Sequence, residues 1–370
     1  MATIDEPSGA PDPQPAAREP AHDGRALRNG AARTGAVAAP RSRRAPPLVL
    51  DWKSRVVFLA MAAALHAMSL LGDFILYPIG IAGGWLGYLL DRRHVRIGLK
   101  NLEVAFPERS EAERRRILRA SYINLGRAAS EYVRLGGFFY RRLRKRVSYR
   151  RFSYLKELGD RYPGKGILVL TAHFGNFELL AAAHALHGHQ LSLVHHTQRF
   201  LAGDALVTFV RERAGVEIIR KHSAARAVLR ALAHGDFVGI PFDQNAKRSE
   251  AIFVPFFGEP AATTSGLARL AMISGAPVMP AFIVREPDLR THRIEIQDEI
   301  PIQRSGDLKA DLVENTRRCV KAVEDMVRRY PEQFLWTHRR FRTRPRGMAL
   351  IYDWEVRARR PSGRRPAPPR

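Results

Sequence analysis

The sequence predicts an α/β protein with a mostly parallel central sheet flanked by helices, and with membrane-associated helices at the N-terminal end. From Gly166 onward, short apolar runs alternate with helical stretches, the order that lays helices over a parallel sheet. Between Arg55 and Leu90 only Asp73 carries a formal charge, so this part of the chain is far more apolar than the rest. Of the 370 residues, 45% are hydrophobic, enough for a sizeable core and too many for a disordered chain.

Taken in order, residues 1–49 are rich in Ala, Pro, Gly and Arg and hold almost no large apolar side chain, which predicts a disordered tail. Residues 50–94 are expected to anchor the protein. Val56–Gly72 is uncharged, and as a helix rising ~1.5 Å per residue it extends about 25 Å, close to the lower limit for crossing a bilayer. Phe74–Leu90 contains Pro78, Gly80, Gly83, Gly84 and Gly87, which suggest a bent or interfacial helix rather than a straight span. Asp91–His94 then reads as a polar stop on the cytoplasmic side.

Residues 95–345 form the main domain. Ser110 and Glu113 make a capping-box pattern, opening a helix with Leu118, Tyr122, Leu125 and Tyr132 at core spacing. Ile167–Leu170, Leu191–His195, Val216–Ile219, Phe237–Phe242 and Val278–Val284 read as strands. The stretches Asp204–Ala214, Ala224–His234, Ser265–Ser274 and Leu308–Tyr330 read as helices. Residues 346–370 return to Arg and Pro and are expected to fray.

A formal charge of +25 favours contact with nucleic acid, anionic membrane or an acidic protein, without choosing among them. The single cysteine, Cys319, excludes an intrachain disulfide and a cysteine metal cluster; in its helical pattern it reads as a small buried residue. His184, His187, His189, His195 and His196 crowd one region, but H-E-x-x-H is absent, so neither a metal nor a cofactor is expected.

The most informative run is Gly166–Leu180, GILVLTAHFGNFELL. His173 follows a buried strand, Asn176 is placed to cap the next helix, and Glu178 falls in that helix's first turn. On a continuous helix five positions would set His173 and Glu178 roughly 140° apart, so a pairing needs the intervening turn. Across that turn Glu178 would accept the imidazole N–H and orient His173 as a general base. Backbone N–H groups at Gly175 and Asn176, or a nearby guanidinium, are candidate oxyanion donors.

Three later segments extend the pattern: Phe242–Asn245 (FDQN), Phe253–Gly258 (FVPFFG) with Ala261–Ala271, and Tyr330–Phe341 (YPEQFLWTHRRF). With Leu99–Pro107 upstream, they resemble, in order and spacing, the lipid A late acyltransferases of the lysophospholipid acyltransferase superfamily. The resemblance covers roughly residues 50–345. It implies transfer of a fatty acyl chain from a thioester, carried by acyl carrier protein or coenzyme A, to a hydroxyl of a lipid A precursor or related glycolipid. It assigns His173 and Glu178 as the catalytic pair. The serine of hydrolase triads is missing because the substrate supplies the hydroxyl.

The family often has Arg-Pro and Asn-Pro after the strand that here is Leu191–His195. This chain reads His195-His196-Thr197-Gln198-Arg199 instead, leaving His196 or Arg199 as substitutes. The other expected substrate contacts are Asp243 and Gln244 beyond a strand end, Phe257, Gly258 and Thr264 around the pocket, and Arg339 for phosphate, although Arg339 and Arg340 equally suit a helix cap.

The implied location is the inner membrane, with the catalytic domain facing the cytoplasm. The basic run Arg141–Arg151 suits an acidic acyl carrier protein or anionic headgroups. Other lipid acceptors (a phosphatidylinositol mannoside, an ornithine lipid, a lysophospholipid) remain open. A basic nucleic-acid-binding protein is the alternative of another class, though it leaves the apolar helices and the His173 turn unexplained.

Overall fold

A computed structural model describes residues 49–220, 224–352 and 354. The expected tails therefore lie outside the described residues, apart from Val49 and the stretch 346–352 with Trp354. Four helices come first: α1 (Trp52–Ser69), α2 (Asp73–Leu90), α3 (Arg92–Ala105) and α4 (Glu111–Gly136). Asp51 caps α1 through the Ser54 N–H, and Asp91, the expected polar stop, both ends α2 and caps α3 through the His94 N–H. The capping box at Ser110 and Glu113 forms as its spacing predicts. Along α4, Leu118 and Tyr122 are buried but Leu125 turns outward, against expectation.

The helices expected to anchor the protein differ from their sequence reading. α2, not α1, is the one described helix long and apolar enough to cross a membrane, because Lys53 and Arg55 fall inside α1. The glycines of α2 serve close packing. A Cβ on Gly80 would lie 2.3 Å from the Gly126 carbonyl oxygen and one on Gly84 2.4 Å from that of Tyr122, so α2 and α4 meet backbone to backbone. With one face so engaged, Phe74, Ile79, Trp85, Leu86, Leu89 and Leu90 are left exposed.

The sheet has seven strands: β1 (Val147–Arg150), β2 (Ile167–Thr171), β3 (Leu191–His195), β4 (Val216–Arg220), β5 (Phe237–Pro241), β8 (Val278–Arg285) and β9 (His292–Ile296). Their spatial order is β1-β9-β8-β2-β5-β3-β4, with every pairing parallel except β8 with β9. This is the predicted class. β2 and β8 are buried throughout, as central strands covered on both faces must be. Helices α5 (Ser153–Arg161), α6 (Phe177–Leu186), α7 (Leu201–Arg213), α8 (Ala224–Ala233), α9 (Gly266–Ser274) and α10 (Leu308–Arg329) complete the layers. Cys319 in α10 is fully buried, and burial pushes its thiol up to about 12, as an inert core residue requires.

Outside the large sheet, β6 (Ala251–Phe256) and β7 (Glu259–Thr264) form an antiparallel hairpin. Both strands are edges, so Pro255 and Pro260 are tolerated there. Among the described residues after Pro345, Tyr352 and Trp354 pack against the domain. Tyr352 is buried and its hydroxyl bonds Asn101, while Arg96 stacks 4.2 Å from the Trp354 ring centre.

The contact between α2 and α4 gives a direct test. A Cβ on Gly126 would come 2.0 Å from the Gly80 carbonyl oxygen. Gly126→Val should therefore destabilise the protein by about 1–3 kcal/mol, the usual cost of overpacking. Thermal unfolding in detergent reads it, and an unchanged midpoint would show that the two helices do not pack this closely.

Candidate active site

His173 and Asp243 meet because β2 and β5 are parallel neighbours in a register that pairs Leu170 with Ile240 and Thr171 with Pro241. The Phe242 N–H extends that ladder to the Thr171 carbonyl at 2.9 Å. Two residues past each strand end, His173 Nδ1 lies 2.9 Å from Asp243 Oδ1 and 3.2 Å from Oδ2. The buried Asp243 carboxylate accepts the Nδ1 proton, which leaves the lone pair on Nε2. Nε2 faces the exposed side of the site, 3.4 Å from the Gln244 side-chain amide, and the ring packs edge-on against Phe177 at 4.9 Å.

The electrostatics follow from this pairing. Burial disfavours the imidazolium, but the charge and hydrogen bond of Asp243, helped by Glu178, more than offset it, so the His173 pKa is raised above 6.5 despite Arg211. Burial alone would raise the Asp243 carboxyl; His173, with a smaller contribution from His338, brings it below its ordinary value. His338 itself is driven down to about 4, chiefly by burial. It stays neutral, and its Nε2 accepts the Asn245 N–H at 2.9 Å.

The expected hydrogen bond from His173 to Glu178 is not formed, which corrects the sequence reading. Arg211 of α7 grips Glu178 with two bonds, Nε to Oε2 at 2.8 Å and Nη2 to Oε1 at 2.6 Å. A bidentate guanidinium outcompetes an imidazole for the same carboxylate. Arg211 also reaches His195 Nδ1 at 2.8 Å, and His195 Nε2 meets Asp204 at 2.7 Å. Arg211 was missed because it sits in a helix, 33 positions beyond Glu178, without a recognisable motif. Arg199 and His196 are exposed on the loop after β3, where His196 turns to the Thr197 carbonyl.

The turn that bears His173 is braced from the far end of the chain. Phe174 bridges to Phe334, the Gly175 N–H donates to the Gln333 carbonyl at 2.8 Å, and the Leu335 N–H donates to the His173 carbonyl at 3.1 Å. The Tyr330–Phe341 motif thus acts partly as a splint. Gly175 is required there: its φ is +58°, and a Cβ would fall 1.9 Å from the Ile283 carbonyl oxygen. Its N–H is consumed by this contact, which removes it as an oxyanion donor. Asn176 caps α6 through the Leu179 N–H, as expected.

Other expected contacts have structural roles. Phe257 and Gly258 both have positive φ and form the two-residue turn of the β6–β7 hairpin. The Phe257 N–H donates to Glu324 at 2.6 Å and its ring packs on Phe106 and Phe256, which makes it core rather than pocket lining. The Thr264 hydroxyl accepts the Gly266 N–H at the start of α9. Arg340 is buried on the Ala262 carbonyl and the Thr263 hydroxyl, so it ties the hairpin to the splint, while its neighbour Arg339 is half-buried. Beside His173, an apolar cavity of about 40 Å³ runs between α6 and the sheet, bordered by Thr171, Phe177, Ala181, His184 and Tyr149.

Comparison with known proteins agrees with the resemblance read from the motifs. The family model described as bacterial lipid A biosynthesis acyltransferase matches residues 49–343. The lipid A biosynthesis lauroyltransferase of Escherichia coli (strain K12) is 29% identical over 280 residues, 75% of this chain and 89% of that protein. The palmitoleoyltransferase of the same strain is 30% identical over 272 residues, covering 70% and 83%, and its myristoyltransferase is 27% identical over 301 residues, covering 81% and 90%.

The Arg211 clamp is testable by stability alone. Arg211→Met would leave the part-buried Glu178 carboxylate unpaired, at a cost on the order of 3 kcal/mol. Denaturant unfolding of a detergent-solubilised variant measures this, and a loss below about 0.5 kcal/mol, the scale of an exposed pair, would contradict the clamp.

Proposed function

Because this chain belongs to the bacterial lipid A biosynthesis acyltransferase family, we propose that it moves a fatty acyl group from a thioester donor to a hydroxyl of a lipid A precursor, with His173 as the general base. The observation that carries the reading is the imidazole held by Asp243 on one nitrogen and turned outward on the other.

In this reading His173 Nε2 takes the proton of the acceptor hydroxyl as its oxygen attacks the thioester carbonyl. Asp243 stabilises the imidazolium that forms. Collapse of the tetrahedral intermediate expels the thiolate, and the imidazolium returns the proton to sulfur. Gly175 being engaged elsewhere, the first-turn N–H groups of α6 at Phe177 and Glu178 are the proposed oxyanion donors, since a helix start leaves such groups without intrahelical acceptors. Glu178, neutralised by Arg211, then acts by fixing α6. Gln244 borders the acceptor site, and the apolar cavity beneath α6 marks where an acyl chain would part the helix from the sheet.

The exposed apolar side chains of α1 and α2, with Phe138 and Phe139 nearby in sequence to the basic run, suit burial in a bilayer, here assigned to the cytoplasmic leaflet of the inner membrane. In that run Arg146 is engaged by Asp73 and Arg151 by Asp298, whereas Arg141, Arg142, Arg144 and Lys145 are exposed. These four are proposed to steer an acidic acyl carrier protein.

His173→Ala and Asp243→Ala should each lower acyl transfer at least about a hundredfold in folded protein. With pKa raised by Asp243, His173 is neutral only above its shifted value, so kcat/KM should rise with pH through a midpoint above 6.5. Wild-type turnover by folded His173→Ala would overturn the assignment. Mass spectrometry of whole lipids from cells with and without the protein identifies the acceptor: loss of one acyl chain from lipid A supports the reading, and a change confined to another lipid replaces the acceptor.

For the donor, changing Arg141, Arg142, Arg144 and Lys145 together to Ser should raise KM for carrier-bound substrate, leave saturated turnover unchanged and flatten its salt dependence. An equal effect with acyl-CoA would instead place the run on lipid headgroups.

A further inference from the structure

Glu131 lies inside α4, only 1% exposed, and its two carboxylate oxygens gather groups from four parts of the fold. Arg285 of β8 binds both oxygens, at 2.6 and 2.9 Å. His292 of β9 approaches at 3.0 Å and the Tyr77 hydroxyl of α2 donates at 2.7 Å. The fourth is Asn176, whose Nδ2 donates at 2.7 Å. For charge compensation alone the Arg285 fork would suffice. The bonds to Asn176 and Tyr77 go further, because they reach the turn beside His173 and the apolar helix α2.

Asn176 has both ends of its amide engaged: Oδ1 accepts the Leu179 N–H at 3.1 Å while Nδ2 reaches Glu131. Its backbone joins Gly175 to Phe177, whose ring lies against His173. A shift of Asn176 therefore moves the start of α6 and the wall of the site together. Tyr77 is on the face of α2 that packs against α4, so the same carboxylate ties this turn to the helix most suited to a membrane.

We propose that Glu131 is a positioning residue: through Asn176 it fixes the turn that carries His173 and opens α6, and through Tyr77 it locks that turn to α2. The proposal rests on the acyltransferase reading of the His173 site. Its consequence is that seating of the apolar helix is felt at the turn beside the reacting groups, because the Glu131 carboxylate accepts one hydrogen bond from Tyr77 and one from Asn176.

Asn176→Asp separates positioning from folding. Aspartate still caps α6, but it replaces an N–H donor with a carboxylate facing Glu131. The charged and titratable groups around the pair are Arg285, His292, Arg127 and the Tyr77 hydroxyl, with Arg146 beside that hydroxyl. At pH 8 turnover should fall by about tenfold or more, with acceptor KM within about twofold of wild type. Two carboxylates sharing one site bind a proton more readily than either alone, and the introduced side chain, once protonated, donates to Glu131 as the amide did. The ratio of variant to wild-type turnover should therefore rise several-fold between pH 8 and pH 6. A ratio that stays flat with pH, or a loss of activity that follows a fall in unfolding temperature, would overturn the role.

Tyr77→Phe removes one hydroxyl and no packing volume. It should lower turnover about threefold at unchanged KM in protein that remains folded at the assay temperature, and wild-type turnover would overturn the link to α2. His173→Ala measured alongside separates the two levels. If it remains active, the reading of the site fails and this inference with it; if it is inactive while Asn176→Asp matches wild type at both pH values, only the positioning role fails.

Discussion

Hydrogen bonds between β2 and β5 run in a register that aligns Thr171 with Pro241, and two further residues on each chain bring His173 to Asp243. Seventy positions of sequence separate the two side chains. Their meeting depends on parallel strands entering the same edge of the sheet, where open α/β sheets collect polar side chains beyond the strand ends. A slip of one residue would turn Asp243 to the other face and leave a buried carboxylate without its partner. The tautomer of His173, the exposed position of Nε2 and the raised pKa all follow from this single pairing.

Several layers hold the pairing in place. The Gln333–Leu335 segment hydrogen-bonds the His173 turn on one side, and Ile283 leaves room only for glycine at position 175. Arg211 holds Glu178 and the start of α6 on another side. Phe257, Gly258, Thr264 and Arg340 shape the hairpin and the splint, so the site owes its geometry to residues that need not touch a ligand.

The central fold was legible in the sequence because its strands are buried on both faces and read as uninterrupted apolar runs. Leu191–His195 was bounded correctly, and the other four central strands to within a residue at either end. Edge elements were not legible. Val147–Arg150 lies inside a basic run, and His292–Ile296 alternates charged with apolar residues; strands β6 and β7 carry prolines that argue against a strand. Between residues 50 and 94 the glycines of α2 were taken as weaknesses of a helix, since sequence alone does not reveal a second backbone passing within contact distance. At the site, short separation favoured Glu178 as the partner of His173. Asp243 had been placed beyond a strand end, but choosing it required the strand order, and Arg211 required the course of α7.

The central claim is that Asp243, rather than Glu178, orients His173 and sets its basicity. Selective isotope labelling of histidine and an NMR pH titration of the detergent-solubilised protein address it directly, with Asp243→Asn and Glu178→Gln run beside the wild type. The account predicts a neutral form protonated on Nδ1, a pKa above 6.5 in the wild type, and a larger fall in Asp243→Asn than in Glu178→Gln. A wild-type value at or below 6.5, or a larger fall when Glu178 is changed, would contradict it.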